Sequence, residues 1–214
     1  MLEVWGRKTS SNVQALMWCI GELHLDYKRH DIGHIYGGND TVDFLSMNPN
    51  GTVPVIRDNE SEPLWETGAI LRYLADSYGT NTFWPRGGLE RAKVDKWAEW
   101  SKLNIAIAFT GPIFWRVTRT PPSQLDEEAI QEAIAYLCRF LNIAEAQLSR
   151  QPHIAGKAFT LADIQFGHVL FRYFDIPIAR PDYPNIRRYY DMLTTRPAFR
   201  EHVMVPYDEL RATD

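Results

Sequence analysis

The chain has 214 residues, a formal net charge of −4, two cysteines and 45% hydrophobic residues. This length suits one or two globular domains, and the charge gives no reason to expect binding to nucleic acid or to an anionic membrane. No apolar run near 18 residues and no charged-then-apolar leader is present, and the few cysteines favour a reducing cytoplasm.

The first part of the chain alternates strand and helix patterns. Strand patterns occupy residues 2–5, 25–31, 52–57 and 63–65. A polar turn over residues 6–12 precedes a helix whose apolar residues recur at i, i+3, i+4 and i+7, which predicts burial on one side. Loop residues 32–43 lead to a possible short helix, and another amphipathic helix begins near Thr67. This β-α-β-(α)-β-β-α order predicts a thioredoxin-like α/β domain over residues 1–80.

Beyond the breakers that surround Phe83 and Trp84, strand patterns nearly vanish. Helical patterns cover residues 89–118, 126–149, 161–174, 184–195 and 197–202. Pro112 should kink or divide the first of these helices, because proline has no N–H to donate. An all-α second domain is therefore expected over residues 88–214.

Thr160 and Asp163 have the spacing of a capping box at the start of one of these helices. Thr160 is the expected N-cap, and Asp163 stands at the third helical position. We interpret this pair as a device for helix initiation and folding, without a direct part in catalysis.

The most informative motif is Val53-Pro54 in an apolar, strand-like run. Proline cannot donate to a sheet ladder, so Pro54 is expected at an edge or a turn. If the bond before Pro54 is cis, the N–H and C=O of Val53 point away from their own sheet and can pair with an extended peptide. Glu66 and Thr67 open the next helix, whose first-turn N–H groups and Thr67 hydroxyl would bind an anion. Main-chain pairing beside a carboxylate site suits a small peptide.

With Ser10, Ser11 and Asn12 at the start of the first helix, these motifs resemble the glutathione-binding site of the cytosolic glutathione S-transferase family. The resemblance covers nearly the whole chain and is most specific in residues 1–78. The Ser-Ser-Asn-Val-Gln run is similar to a bacterial type.

This resemblance implies a cytoplasmic, homodimeric detoxification enzyme that joins the thiolate of reduced glutathione to small electrophilic, hydrophobic compounds. Glutathione is then a co-substrate, and no resident cofactor is expected. The resemblance leaves two alternatives: a glutathione-dependent disulfide reductase or lyase on the same site, and a non-catalytic binding protein.

Activation of the glutathione sulfur requires a donor at the start of the first helix. A thiol near pKa 8.5 is mostly protonated at neutral pH, and lowering its pKa by about 2 units takes roughly 2.7 kcal/mol. One hydrogen bond to a charged group contributes roughly 1.5–3 kcal/mol, so a single hydroxyl or amide suffices. The resemblance implies Ser10 as the principal partner of the sulfur, with Asn12 and Ser11 as alternatives. The competing interpretation is that all three residues only cap the helix.

The resemblance also implies which residues bind glutathione. Val53 would pair through its main chain with the cysteinyl unit, Pro54 would supply a cis turn, and Glu66 and Thr67 would bind the γ-glutamyl end. Thr52 stands where many members carry Gln or Lys, which leaves one contact to the glycyl end open. Candidates for the glycyl carboxylate are His34, Tyr36 and Asn39.

For the electrophile, the resemblance implies a pocket against the helical domain. Its candidate residues are Phe109, Phe114, Trp115, Arg116 and Arg119. An aromatic wall with arginine at its edge suits a flat apolar compound with an anionic or electron-poor group, although aromatic residues at helical spacing also suit core packing. The histidines show no metal-ligand spacing, so no metal site is expected. Cys19 lies inside the first helix and is expected in the core, which argues against thiol transfer through a protein cysteine.

Overall fold

The computed structural model describes residues 1–213; Asp214, the last residue of the predicted second domain, lies outside the described residues. The N-terminal part contains the strands β1 (Leu2–Trp5), β2 (Tyr27–His30), β3 (Val55–Asp58) and β4 (Leu64–Trp65) and the helices α1 (Ser11–Glu22), α2 (Val42–Met47) and α3 (Thr67–Tyr78). The strands form one sheet in the order β2-β1-β3-β4, in which β1 is parallel to β2 and antiparallel to β3. The predicted thioredoxin-like order of strands and helices is confirmed.

Helix α1 is more deeply buried than its sequence pattern predicts. Every residue from Val13 to Ile20 is buried, including Gln14, whereas the apolar periodicity indicated one buried face. The difference arises because α3 packs against α1 from the N-terminal part while α8 and α11 pack against it from the helical part. The start of α1 therefore lies where the two parts of the molecule meet.

The segment before β3 is a loop and not part of the strand. The predicted strand over residues 52–57 begins only at Val55, which pairs with Trp5 of β1 and Trp65 of β4. The Val53–Pro54 peptide bond is cis, as the sequence motif suggested. Thr52, Val53 and Pro54 thus precede the sheet and belong to the loop that follows α2.

The rest of the described chain is helical, as predicted. Its elements are α4 (Gly88–Trp100), a π-helical segment (Ser101–Ala106), α5 (Ile107–Phe109), a second π-helical segment (Thr110–Trp115), α6 (Arg116–Arg119), α7 (Glu127–Leu148), α8 (Leu161–Gly167), α9 (Leu170–Asp175), α10 (Pro184–Thr194) and α11 (Pro197–His202). Short 3-10 turns lie at His34–Tyr36, Pro122–Gln124 and Asp208–Leu210. The single helix expected over 161–174 is divided between α8 and α9.

Pro112 lies within the second π-helical segment, and the helix continues through it. The wider turn accommodates the residue that cannot donate to the helical ladder. The chain therefore runs as one long helical element from α4 to α6 and carries two π-helical segments along one wall of the molecule.

The capping box predicted at the start of α8 is present. The N–H of Thr160 donates to Oδ2 of Asp163 at 2.7 Å, and the N–H of Ile154 donates to Oδ1 at 3.2 Å. The hydroxyl of Tyr189 on α10 donates to the same Oδ1 at 2.7 Å. Because Asp163 is fully buried, these bonds join three segments of the helical part around one carboxylate.

Two further features bear on the type of protein. Over residues 1–213, no helix combines the length and the apolar character needed to cross a membrane. Both cysteines are free, and Cys19 is completely buried in α1, where burial raises the pKa of its thiol. The expectation that Cys19 is a core residue is confirmed.

Candidate functional site

A cleft of about 410 Å³ lies between the start of α1 and the long helical element α4 to α6. One wall consists of the segment that leads into α1, and the opposite wall consists of both π-helical segments and α6. The lining residues are Arg7, Thr9, Ser10, Ser11, Asn12, Lys102, Ala106, Ile107, Thr110, Gly111, Pro112, Trp115, Arg119, Arg172 and Leu210. All three predicted sulfur partners thus face the same space as residues of the helical part.

Ser10 and Asn12 do not use their side chains to cap α1. Ser10 occupies the N-cap position, where its carbonyl accepts from the N–H of Gln14 at 2.8 Å, but its hydroxyl makes no capping bond. Oδ1 of Asn12 accepts a hydrogen bond from Nζ of Lys102 at 2.7 Å. This bond turns the amide nitrogen of Asn12 away from Lys102 and keeps it available as a donor. The capping interpretation therefore does not explain the side chains of these two residues.

Lys102, on the first π-helical segment, was not predicted from the sequence. Burial lowers the pKa of its ammonium group, and the nearby carboxylate of Glu66 opposes that shift. Burial, helped by the charge of Lys102, also lowers the pKa of the fully buried His168 to about 3. His168 is consequently neutral near pH 7, and Lys102 supplies positive charge beside Asn12.

Thr9, the residue before Ser10, is held from two directions. Nη2 of Arg172 on α9 donates to the carbonyl of Thr9 at 2.6 Å, and the hydroxyl of Thr9 donates to the carboxylate of Glu209 near the C-terminus. The guanidinium of Arg172 also lies over the rings of Phe114, at 4.5 Å, and Tyr207, at 5.4 Å. These contacts position the segment that presents Ser10 to the cleft.

The predicted peptide-pairing residue lies beside this segment. A Cβ on Gly6 would come 3.3 Å from Cβ of Val53 and 2.5 Å from Cγ2 of Val13 on α1, so these chains meet at a position that requires glycine. Among the described residues, neither the N–H nor the C=O of Val53 makes a backbone hydrogen bond outside regular secondary structure, and Val53 belongs to no strand. Its main-chain groups remain available for an extended peptide.

The loop before Val53 is held together by asparagine side chains. The amide of Asn48 donates to the carbonyl of Thr52 at 2.8 Å and to its hydroxyl at 3.2 Å. Asn39 donates to the carbonyl of Gly51 at 2.8 Å, which ties the preceding loop to this one. Thr52 is exposed but both of its oxygens accept from Asn48, and Pro54 is buried at the base of the loop.

Glu66 and Thr67 stand at the beginning of α3, as predicted. Glu66 is the N-cap residue and has a φ of 71°, a left-handed conformation that is unfavourable for a residue with a Cβ. Such conformations cost of order 1–3 kcal/mol and cluster at ligand-binding positions. Thr67 is buried, while Glu66 is exposed, so the first turn of α3, with its unpaired N–H groups, begins beside an accessible carboxylate.

The structure divides the five aromatic and arginine residues predicted for the electrophile pocket. Arg116 is exposed and does not line the cleft, so its prediction is corrected. Trp115 and Arg119 line the cleft, and Cζ of Arg119 lies 4.6 Å from the centre of the Trp115 ring. Phe109 and Phe114 do not line it: both are completely buried, and Phe109 packs against Tyr173 while Phe114 packs against Tyr207. The prediction for Phe109 and Phe114 is corrected, because their side chains point into the helical core.

The loop candidates for the glycyl carboxylate are near Arg7 but do not themselves line the cleft. His34 and Tyr36 are exposed in the 3-10 turn, and Asn39 is engaged with Gly51. Burial and the charges of Arg7 and Arg119 lower the pKa of His34. Over residues 1–213, no three His, Cys, Asp or Glu side chains are grouped in a way that could hold a metal ion.

Sequence reasoning missed Arg7, Lys102 and Arg172. Arg7 had a weak signal, since it is a basic residue in the polar turn just before Ser10. Lys102 and Arg172 had none, because their places beside Asn12 and Thr9 result from packing between segments 90 and 163 residues apart.

Comparison with known proteins agrees with this architecture. The family models for the N-terminal and C-terminal domains of glutathione S-transferase match residues 1–76 and 104–197. The chain is 36% identical to glutathione S-transferase GstB of Escherichia coli strain K12 over 207 residues, which cover 96% of this chain and 99% of that protein. It is 28% identical to glutathione S-transferase 3 of Zea mays over 94% of this chain and 93% of that one.

Among solved structures, the theta class glutathione S-transferase of Xanthomonas axonopodis pv. citri with glutathione bound superposes with a TM-score of 0.90. The sequence identity is 37%, and the match covers 96% of this chain and 98% of that one. The matches extend over both the sheet-containing and the helical parts. The chain therefore belongs to the glutathione S-transferase family.

Proposed function

We propose that the protein is a glutathione transferase that conjugates the thiolate of reduced glutathione to small electrophilic compounds, in the service of detoxification. The observation that carries this proposal is the cleft in which Ser10 and Asn12, neither used as a cap, face Trp115 of the helical part. Family membership indicates the reaction class. The cleft offers one surface for each reactant, the start of α1 for glutathione and Trp115 for the electrophile.

Glutathione would bind along the N-terminal part. The unpaired main-chain groups of Val53 suit the cysteinyl unit, and the start of α3 at Glu66 and Thr67 suits the γ-glutamyl end. Pro54 and Thr52 shape the loop on which Val53 stands. The carboxylate of Glu66 would attract the glutamyl ammonium, while the N–H groups of the first turn of α3 would bind the glutamyl carboxylate.

The sulfur would lie at the beginning of α1. The hydroxyl of Ser10 and the amide of Asn12 would donate to the thiolate, with Ser11 as the remaining candidate on the same turn. Lys102 adds a positive charge one hydrogen bond away from the thiolate, through Asn12. Each of these interactions favours the anion over the thiol and lowers the pKa of the bound glutathione. Binding then holds the nucleophile next to the second substrate, which saves the entropy of bringing them together.

The same site would also serve a glutathione-dependent disulfide reductase or lyase. The ring of Trp115, with Arg119 beside it, offers a flat surface in the cleft and favours conjugation of a flat electrophile. A non-catalytic binding protein is the third possibility, but it has no need for donors directed at a sulfur.

We further propose that the protein is a cytoplasmic homodimer. Large apolar side chains are at least partly exposed at Trp65, Tyr73 and Leu89, on β4, α3 and α4, and they would be stabilised by burial in a subunit interface. Sedimentation of the purified protein would test the assembly.

Parallel assays test the function. Purified protein would be supplied with glutathione and either 1-chloro-2,4-dinitrobenzene or the mixed disulfide of glutathione with 2-hydroxyethanethiol. Conjugation well above the uncatalysed rate, with slower disulfide reduction, is expected. The reverse order would favour the reductase, and glutathione binding by calorimetry without either reaction would favour the binding protein. Absence of glutathione binding at millimolar concentration would refute all three.

A further inference from the structure

The cleft concentrates positive charge in a protein whose net charge is negative. Arg7, Lys102, Arg119 and Arg172 all line it, although the whole chain carries a formal charge of −4. None of the four forms an ion pair with a carboxylate among residues 1–213: Lys102 bonds to an amide and Arg172 to a carbonyl. The carboxylates that act on this group electrostatically are Glu66, near Lys102, and Glu209, near Arg7.

Three of these cations influence one another. Burial lowers the pKa of Arg7, and the charge of Arg119 lowers it further. Burial also lowers the pKa of Arg172 to about 10, and the charges of Arg7 and Arg119 contribute to that shift. The carboxylate of Glu209 opposes the shift at Arg7 but forms no ion pair with these cations among residues 1–213, and it accepts a hydrogen bond from the hydroxyl of Thr9. Like charges held together in a partly buried space are stabilised when an anion binds among them.

Arg172 supplies independent evidence that the four cations of the cleft bind an anion. Arg172 is only 2% exposed, yet among residues 1–213 its Nε has no hydrogen-bond partner, and its guanidinium donates only to the carbonyl of Thr9. A buried guanidinium usually has a carboxylate partner, because desolvation of the charge is otherwise uncompensated. The charge of Arg172, which lines the cleft, therefore acts on an anion in the cleft with little screening.

Arg119 places part of this charge beside Trp115, the residue proposed for the second substrate. Arg119 projects from α6 beside Trp115, on the wall opposite Ser10. Arg7 lies beside the loop that carries the candidates for the glycyl carboxylate, since a Cβ on Gly33 would come 3.3 Å from its Nη1. The charge of Arg119 also acts on His34, a candidate for the glycyl carboxylate, so it is an anion at the edge of the Trp115 ring that would belong to the second substrate.

We propose that the preferred second substrate is a flat electrophile that carries a carboxylate, which Arg119 binds at the edge of the Trp115 ring with Arg172 and Arg7 behind it. This inference rests on the proposed transferase function. The reacting carbon would face Ser10 and Asn12. The thiolate would form the C–S bond with its electron pair, and a halide would leave with the pair of the broken carbon–halogen bond. The carboxylate would stay unchanged and only orient the ring.

The test uses two aryl halides with the same reacting centre, 4-chloro-3,5-dinitrobenzoate and its methyl ester. The measured quantity is the ratio of kcat/KM for the benzoate to kcat/KM for the ester, in which the state of the glutathione site cancels. Arg119→Gln is expected to lower this ratio about 10- to 100-fold relative to the unaltered protein. The matched control is Arg116→Gln, on the same helix but outside the cleft, which should leave the ratio unchanged.

A binding measurement keeps the test independent of turnover. The glutathione conjugates of the benzoate and of its ester would be made chemically, and their affinities measured by calorimetry for the unaltered protein and both variants. Tighter binding of the benzoate conjugate, lost in Arg119→Gln and kept in Arg116→Gln, is expected. Equal ratios in all three proteins would overturn the carboxylate inference while leaving the transferase proposal intact. If neither conjugate nor glutathione binds, the transferase proposal fails and this inference fails with it.

Discussion

Nζ of Lys102 lies 2.7 Å from Oδ1 of Asn12, so a residue of the helical part orients a side chain at the start of α1. The bond has two consequences for a sulfur bound nearby. It holds the amide nitrogen of Asn12 free to donate, and it places a positive charge one hydrogen bond farther away. The site proposed for glutathione activation is therefore built from both parts of the chain.

Replacing Lys102 tests this relationship. Lys102→Met keeps much of the buried stem but removes the charge and the donor, so the pKa of bound glutathione is expected to rise by about 1 unit. Because the thiolate is the reactive form, activity should fall at neutral pH and recover as the pH rises. The ultraviolet absorbance of the thiolate against pH measures the shift. Lys96→Met, on the exposed side of α4, serves as the control; a shift as large in that variant would contradict the assigned role.

Ser10→Ala and Asn12→Ala distinguish between the candidate sulfur partners. Loss of the principal donor is expected to raise the pKa of bound glutathione by about 1–2 units, since a hydrogen bond to a charged group contributes roughly 1.5–3 kcal/mol. We expect the larger effect from Ser10→Ala, with glutathione affinity mostly kept. Ser149→Ala, at the end of α7, is the matched control. If neither variant shifts the pKa, Ser11 becomes the candidate and the assignment of Ser10 and Asn12 is wrong.

Thr67→Val removes a hydroxyl at the start of α3 and preserves the shape of the side chain. Glutathione affinity is expected to weaken about tenfold, which corresponds to roughly 1.4 kcal/mol, while the pKa of bound glutathione stays the same. Titration calorimetry measures the affinity directly. Thr194→Val, which loses a hydroxyl bonded to the carbonyl of Asp191 on α10, should bind glutathione normally. Unchanged affinity in Thr67→Val would remove that hydroxyl from the site.

Asp163→Ala should affect folding and not chemistry. Removal of the carboxylate leaves the N–H groups of Ile154 and Thr160 and the hydroxyl of Tyr189 without their acceptor in a fully buried place. Loss of one partner from such a buried network costs about 3–5 kcal/mol. Denaturant unfolding measures this change, and turnover per folded molecule should stay constant.

Asp126→Ala is the control for the loss of unfolding free energy expected in Asp163→Ala. Asp126 caps α7 by accepting from the N–H of Ala129 at 2.9 Å on the exposed surface, so its loss should cost only about 1 kcal/mol. If both variants lose the same free energy of unfolding, the buried network around Asp163 stabilises the fold no more than an exposed helix cap does.

Sequence patterns predicted the features that depend on neighbouring residues. The order of strands and helices, the buried Cys19 and the Thr160–Asp163 capping box all follow from periodicity and from short motifs, and the structure confirms them. The cis bond before Pro54 also had a local signal.

Sequence patterns did not predict which aromatic residues of the long helical element face the cleft and which face the core. On a helical wheel with 3.6 residues per turn, Phe109 and Phe114 lie about 140° apart, so the wheel does not place them on one buried face. The π-helical segments change the rotation between successive side chains. Trp115 consequently faces the cleft, whereas the two phenylalanines face the core.

The sequence by itself determined the family fold, the exposed peptide-pairing loop and the polar turn that leads into α1. Only the tertiary structure decided which charges surround that turn. Lys102 reaches Asn12, Arg172 reaches Thr9 and Glu209 reaches the hydroxyl of Thr9 through contacts between distant segments. Local propensity carries no information about such contacts, because they form only when two separately patterned surfaces pack together.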